Sequence, residues 1–262
     1  MSVSIQSIHF NKPPLNEVVF GVWISNIQWD VTQYGKFHSV IAEHYPKIMM
    51  QNPIPPPGDL GMPSVPGVQF LSLPELPRVM YEGKDPAFLL QLQPDRLLIN
   101  WRKHPNSKTE YPHFIELQKR LLTEFNLFAD FCKKSNIGNP IIGGFDLTYV
   151  NHLLHKADWT NAEDLGKYFS HLEWLNKFPS AKVFSLDLAY PVEDFLVRTN
   201  VKKGILIQQR QDLFMIEIGI SKAGVNLDLL EKTTAQANEI LVKEFMKLST
   251  ATAHKEWELA NE

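Results

Sequence analysis

Hydrophobic and polar positions alternate most plainly between Ala87 and Arg102. The runs 87–93 and 96–102 flank the dipeptide Pro94-Asp95, and each follows the period of two that a half-buried strand requires. Setting Gln93 opposite Arg96 places Leu92 against Leu97, Leu90 against Ile99 and Phe88 against Trp101. All six then share one side of a hairpin ribbon. The other side carries Gln91, Gln93, Asn100 and Arg102, with Leu89 and Leu98 between them. Slipping the register by one residue would mix the two faces, so the pattern specifies the pairing. Pro94 cannot adopt the positive φ favoured in two-residue hairpin turns, which predicts a longer or bulged loop.

The helical period appears next. Phe114, Leu117, Leu121, Phe125, Phe128 and Cys132 recur at three- and four-residue spacings behind Pro112, a residue suited to the first helical position. Burying one such side chain contributes about 1.5–3 kcal/mol, so this stripe is a fold determinant and Cys132 reads as a small core residue. Near the start, residues 17–24 predict a buried strand, and Asp30 predicts the cap of a helix over 31–48, with Tyr34, Phe37, Ile41, Tyr45 and Ile48 inward. Pro46 should fray or kink its last turn. Beyond Pro140, strands are predicted over 144–154 and 182–189 and a helix over 161–174. A second hairpin over 204–220 puts Ile205, Ile207, Phe214, Ile216, Ile218 and Ile220 on one face if Arg210 opposes Leu213. Asn226 predicts the cap of a last long helix burying Leu227, Leu230, Ala237, Leu241, Phe245 and Leu248. Thr250 predicts a short terminal helix ending near Trp257.

These elements predict an α+β fold in which mostly antiparallel sheet is covered by long amphipathic helices. The order strand, helix, hairpin, long helix recurs and suggests a two-fold pseudo-repeat. Its halves are 1–135 and 136–262, expected to pack as one unit. Between Gln51 and Pro66 lie six prolines in sixteen residues, which excludes regular helix and most strand pairing. Loops of this length are functional or serve as linkers, and sequence does not decide between the two.

Composition narrows the partners. The chain has 262 residues, 44% hydrophobic and 21% charged, and a net charge of -3, without the basic stripe of a nucleic-acid binder. The doublets Lys133-Lys134 and Lys202-Lys203 stand alone, so nucleic acid is not an expected partner. No apolar run approaches the ~20 residues that cross a bilayer, and the start of the chain lacks the basic and apolar regions of a secretory signal. With Cys132 as the one cysteine no internal disulfide forms, and a cytoplasmic location is the expectation.

Several segments carry a resemblance: Pro13-Pro14-Leu15-Asn16-Glu17-Val18-Val19-Phe20, Leu90 through Leu97 with its Gln-Pro-Asp-Arg turn, Asn100-Trp101-Arg102, Tyr149-Val150-Asn151, and the tail from Thr250 to Trp257. Together they resemble a sporadically distributed family of uncharacterised bacterial proteins of similar length. The resemblance implies a bacterial cytosolic protein whose gene comes and goes between strains, as mobile or defence-linked genes do. It implies no reaction and assigns no residue a role.

Familiar chemistry is absent from the sequence. There is no phosphate loop, no dinucleotide-binding glycine pattern, no His-Glu-x-x-His, no paired Cys-x-x-Cys and no nucleophile elbow. His152 and His155 would face opposite sides of a strand, so no metal site is expected there. Pro94-Asp95 superficially matches the start of a nuclease motif, but the acidic-x-Lys triplet Glu82-Gly83-Lys84 precedes it, and a turn explains the pair. What remains is the polar ribbon face: Gln91, Gln93, Arg96, Asn100 and Arg102, with Tyr149 and Asn151 joining if their strand is adjacent. Such a face is either plain solvent-exposed sheet or a concave surface on which Arg96 or Arg102 grips a partner or an anion. Trp257 either anchors a partner or packs back on its own helix. The resulting expectation is a recognition or regulatory protein that binds another protein, in a strain-specific defence or toxin-neutralising locus, needing no cofactor. Self-association stays open. The alternative is an enzyme or small-ligand binder with a pocket between sheet and long helix.

Overall fold

The computed structural model describes residues 8–55, 75–160, 162–169, 172, 177, 184–206 and 211–261. It is α+β, and its elements in chain order are β1 (Ile8–Phe10), β2 (Leu15–Ile27), α1 (Val31–Ile41), β3 (Lys47–Gln51), β4 (Arg78–Glu82), β5 (Phe88–Gln93), β6 (Arg96–Arg102), α2 (His113–Lys134) and β7 (Gly138–Leu154). A 3-10 turn at Ala162–Lys167 follows, then β8 (Phe184–Val192), β9 (Phe195–Leu206), β10 (Gln211–Ala223), α3 (Leu227–Leu248), α4 (Ala251–Glu256) and β11 (Leu259–Asn261).

The chain forms two compact units that interleave along it rather than following one another. A central unit comprises Val18–Leu147 with Ser221–Thr233. A terminal unit comprises Met1–Glu17, Thr148–Ile220 and Thr234–Glu262. The strand order in the central unit is β3-β4-β5-β6-β2 and then the first part of β7. The β3/β4, β4/β5 and β5/β6 pairs are antiparallel. In the β5/β6 hairpin Gln93 faces Arg96, Leu92 faces Leu97, Leu90 faces Ile99 and Phe88 faces Trp101, the register the alternation dictates. Its loop is only Pro94-Asp95, shorter than predicted, and neither residue has positive φ. The turn therefore avoids the conformation that Pro94 forbids.

One face of this sheet meets α1 and α2. Asp30 caps α1 by accepting from the Thr32 amide at 2.7 Å, as its position suggests. The helix ends at Ile41, well short of residue 48. The stripe continues past that end because Tyr45 is buried from a turn, while Pro46 bars further helix and Ile48 lies on β3, exposed. Phe37 meets Tyr81, Phe128 and Phe131 with ring centres 5.2–5.9 Å apart, and Phe20 meets Phe114 at 5.6 Å. Along α2, Phe114, Leu117, Leu121, Phe125, Phe128 and Cys132 are all buried. Pro112 occupies the cap position of this helix rather than its first turn. Cys132 is fully enclosed, and burial pushes its thiol up to about 12, as befits a core residue.

The terminal unit holds the second part of β7, then β10, β9 and β8 in that order, and the small β1/β11 pair. Phe214, Ile216, Ile218 and Ile220 are buried as predicted, but Ile205, at the far end of β9, is 63% exposed. Ile207 and the Arg210–Leu213 pairing lie outside the described residues, as does part of the helix predicted over 161–174. The 3-10 turn is what stands at its start. Within α3, Leu230, Ala237, Leu241 and Phe245 are buried, whereas Leu227, on the first turn, is 45% exposed. Asn226 does cap the helix, its side-chain oxygen accepting from the Leu229 amide at 3.1 Å. Thr250 likewise caps α4. Trp257 is buried, stacked on Tyr168 and Phe245 at 5.6 and 5.5 Å, and forms part of the core rather than an outward anchor.

Candidate functional site

The second face of the central sheet carries the polar residues singled out from the sequence. It is not solvent-exposed: Gln91 and Asn100 are each 2% exposed, and Gln93 and Arg96 are buried as well. Buried polar groups must find partners, and this face supplies them in chains that run across strands. From β4, the Arg78 guanidinium donates to the Gln91 side-chain oxygen at 2.6 Å, and the Gln91 amide donates onward to Asn100 on β6. Arg102 donates to Glu82 at 2.7 Å and to the Pro86 carbonyl at 3.1 Å. Glu82 also accepts from Lys47 at 2.6 Å. That hydrogen bond, against the opposing effect of burial and with help from the charges of Lys47, Arg102 and His104, holds its carboxyl below the ordinary value.

Gln93 and Arg96 bind something different. They hold main-chain groups of a segment that belongs to no strand. The Ile54 amide donates to the Gln93 side-chain oxygen at 3.0 Å, and the Gln93 amide donates back to the Ile54 carbonyl, also at 3.0 Å. The second N–H of that amide reaches Asp95 at 2.6 Å, so both N–H groups of the Gln93 amide are engaged. Arg96 donates to the Pro55 carbonyl at 2.5 Å and lies 3.5 Å from Asp146 and 3.7 Å from Asp95. Asp146 is itself fixed by the indole N–H of Trp23. Two glycines make room for this layer. A Cβ on Gly144 would stand 2.4 Å from the Trp23 ring, and one on Gly21 would stand 2.6 Å from Leu98. Both positions need the bare backbone because a large side chain from the next strand lies across it.

Tyr149 and Asn151 belong to the terminal unit. Tyr149 donates to Asn238, and Asn151 is buried with its amide donating to the Ile216 carbonyl at 3.3 Å. His155 packs on Trp159 at 4.7 Å and contacts the Thr160 carbonyl through Nε2.

A third polar cluster was missed from the sequence. In the central unit the Tyr45 hydroxyl accepts from Arg120 at 3.0 Å and donates to Glu124 at 2.5 Å, while the Arg120 guanidinium stacks 3.9 Å from the Phe88 ring centre. Burial, followed by the Glu124 charge, raises the Tyr45 hydroxyl well above its usual range, so it remains a donor at every working pH. Arg120 and Glu124 sit one turn apart on α2, a spacing visible in the sequence. Tyr45 arrives from a turn that no local pattern announces.

Among the described residues no group of three or more His, Cys, Asp or Glu is arranged to hold a metal ion, and no helix is long and apolar enough to cross a membrane. Compared with known proteins, the chain matches no family model and no curated relative.

Proposed function

We propose that this is a recognition protein that binds another protein, and that the buried polar face of the β5/β6 ribbon in the central unit is its binding surface. One observation carries the reading. Gln93 and Arg96 spend their hydrogen bonds on the backbone of a non-strand segment, at Ile54 and Pro55, and backbone capture by side chains is how a surface holds a chain in extended form. Gln91, Asn100, Arg102, Glu82 and Arg78 support this by locking one another in place, so the gripping side chains are held ready. A cytoplasmic setting, bacterial and tied to a strain-specific defence or toxin-neutralising locus, completes the reading.

The two-fold pseudo-repeat belongs to the same proposal. Leu121, Glu124 and Phe125 on α2 match Leu241, Glu244 and Phe245 on α3 in identity and spacing. Each glutamate is buried and accepts from a tyrosine hydroxyl, Tyr45 in one unit and Tyr190, at 3.1 Å, in the other.

The test is affinity isolation of the full chain from the cells that encode it, beside a Gln93→Ala/Arg96→Ala variant. The expected result is a specific protein, encoded near this gene, that co-purifies with the first and is lost from the second. A monodisperse monomer that retains no partner refutes the reading.

A further inference from the structure

We infer that the ribbon face takes a particular kind of chain, an extended Pro-X-Pro peptide of the partner, and that Pro53-Ile54-Pro55 of the protein itself is the resident occupant. The inference rests on the recognition reading above and names the chemistry that is recognised.

The donor and acceptor count makes the case. Proline has no amide hydrogen, so a Pro-X-Pro tripeptide presents a single N–H, that of X. The site offers it a single acceptor, the Gln93 side-chain oxygen. The tripeptide's carbonyls at X and the second proline meet two donors, the Gln93 amide at 3.0 Å and the Arg96 guanidinium at 2.5 Å. A proline at either flank brings no N–H of its own, so the tripeptide asks for no acceptor beyond the one that Gln93 supplies. The single N–H and the two carbonyls of a Pro-X-Pro tripeptide thus match the one acceptor and two donors seen at the site.

Conformation points the same way. A residue that precedes proline is pushed toward extended backbone, and both Asn52 and Ile54 precede one. Little entropy remains to be lost when such a segment docks. The Ile54 side chain is half-buried, which favours an apolar residue at X. The receptor groups are equally prepared: Arg96 lies between Asp95 and Asp146, and Asp146 is pinned by Trp23.

The occupant's tether makes it a competitor. Ile54 lies three residues beyond the end of β3 at Gln51, so its effective concentration at the site is on the order of millimolar. A partner peptide must displace it, which sets a threshold against weak ligands and lets a partner with further contacts through.

The experiment uses the full-length protein and the synthetic peptide acetyl-Asn-Pro-Ile-Pro-amide, followed by backbone amide NMR shifts of β5 and β6. A Pro53→Gly/Ile54→Gly/Pro55→Gly variant loosens the resident segment, and Ile54→Pro removes its one donor with less disturbance of the chain. Both variants are expected to bind the peptide saturably, at least about tenfold more tightly than the unaltered protein does. Adding Gln93→Ala should weaken that binding about tenfold, and so should the peptide acetyl-Asn-Pro-Pro-Pro-amide, which lacks the N–H of X. Absence of any shift in both variants at millimolar peptide overturns the inference, as does equal binding by variants and unaltered protein. If the peptide fails while Gln93-dependent capture of a partner persists, this inference alone falls. Failure of both removes the recognition reading too.

Discussion

Replacing Tyr45 with Phe removes one oxygen from the interior of the central unit and leaves the ring in place. That oxygen donates to the buried Glu124 carboxylate at 2.5 Å and accepts from Arg120 at 3.0 Å. A hydrogen bond to a charged group contributes about 1.5–3 kcal/mol, and Glu124, enclosed by protein, has no water to take over. Arg120 is only half-buried and can rehydrate in part, so its loss adds at most about 1 kcal/mol. The expected destabilisation is about 1.5–4 kcal/mol, a large share of the roughly 5–15 kcal/mol typical of a folded domain. Urea unfolding followed by tryptophan fluorescence measures it, with the slope against urea unchanged. Combining Tyr45→Phe with Glu124→Leu supplies the control. With both partners apolar no buried carboxylate is stranded, while half-buried Arg120 rehydrates as in the single variant, and the double variant should be more stable than the sum of the single effects by about 2 kcal/mol. A Tyr45→Phe protein within about 0.5 kcal/mol of the unaltered one would refute the reasoning.

Glu82 supplies a pH dependence. Its folded carboxyl titrates below the ordinary value of 4.5, because Lys47 hydrogen-bonds it and Arg102 and His104 lie near, so it stabilises the fold above that value and ceases to as pH falls through the lower folded one. Glu82→Gln should be less stable than the unaltered protein at neutral pH, with the difference shrinking in strong acid. A difference that stays constant from neutral to strongly acid urea titrations contradicts this. Cys132, with its thiol pushed up to about 12 by burial, should resist thiol reagents in mildly alkaline buffer until urea unfolds the chain. Stoichiometric labelling of the native protein within minutes would show that the thiol is not enclosed.

The hairpin and the two long helices were legible because their signals are local. A period of two on both sides of a two-residue turn leaves one register, and six apolar residues at helical spacing leave one buried side on α2. Errors arose where a pattern outran its element. Tyr45 continued the stripe of α1 although the helix had stopped at Ile41, and Leu227 and Ile205 fitted a periodicity whose buried surface does not extend that far. The polar face was visible as a set of residues, but its state was not. Whether Gln93 meets water or backbone depends on Ile54, thirty-nine residues earlier in the chain, and no spacing rule reaches that distance. Tyr45, Arg120 and Glu124 converge from a turn and a helix for the same reason. The sequence holds the two halves of that contact without any mark that they meet.

The interleaving of the two units has a consequence for dissection of the gene. Their boundaries fall after Glu17, Leu147, Ile220 and Thr233, inside β2, β7, β10 and α3 respectively. Every crossing thus runs through a hydrogen-bonded element rather than a linker, so no single stop codon or start site isolates either unit. Any truncation that frees one would sever a strand or helix whose backbone groups are already spoken for, and the exposed ends would seek other partners.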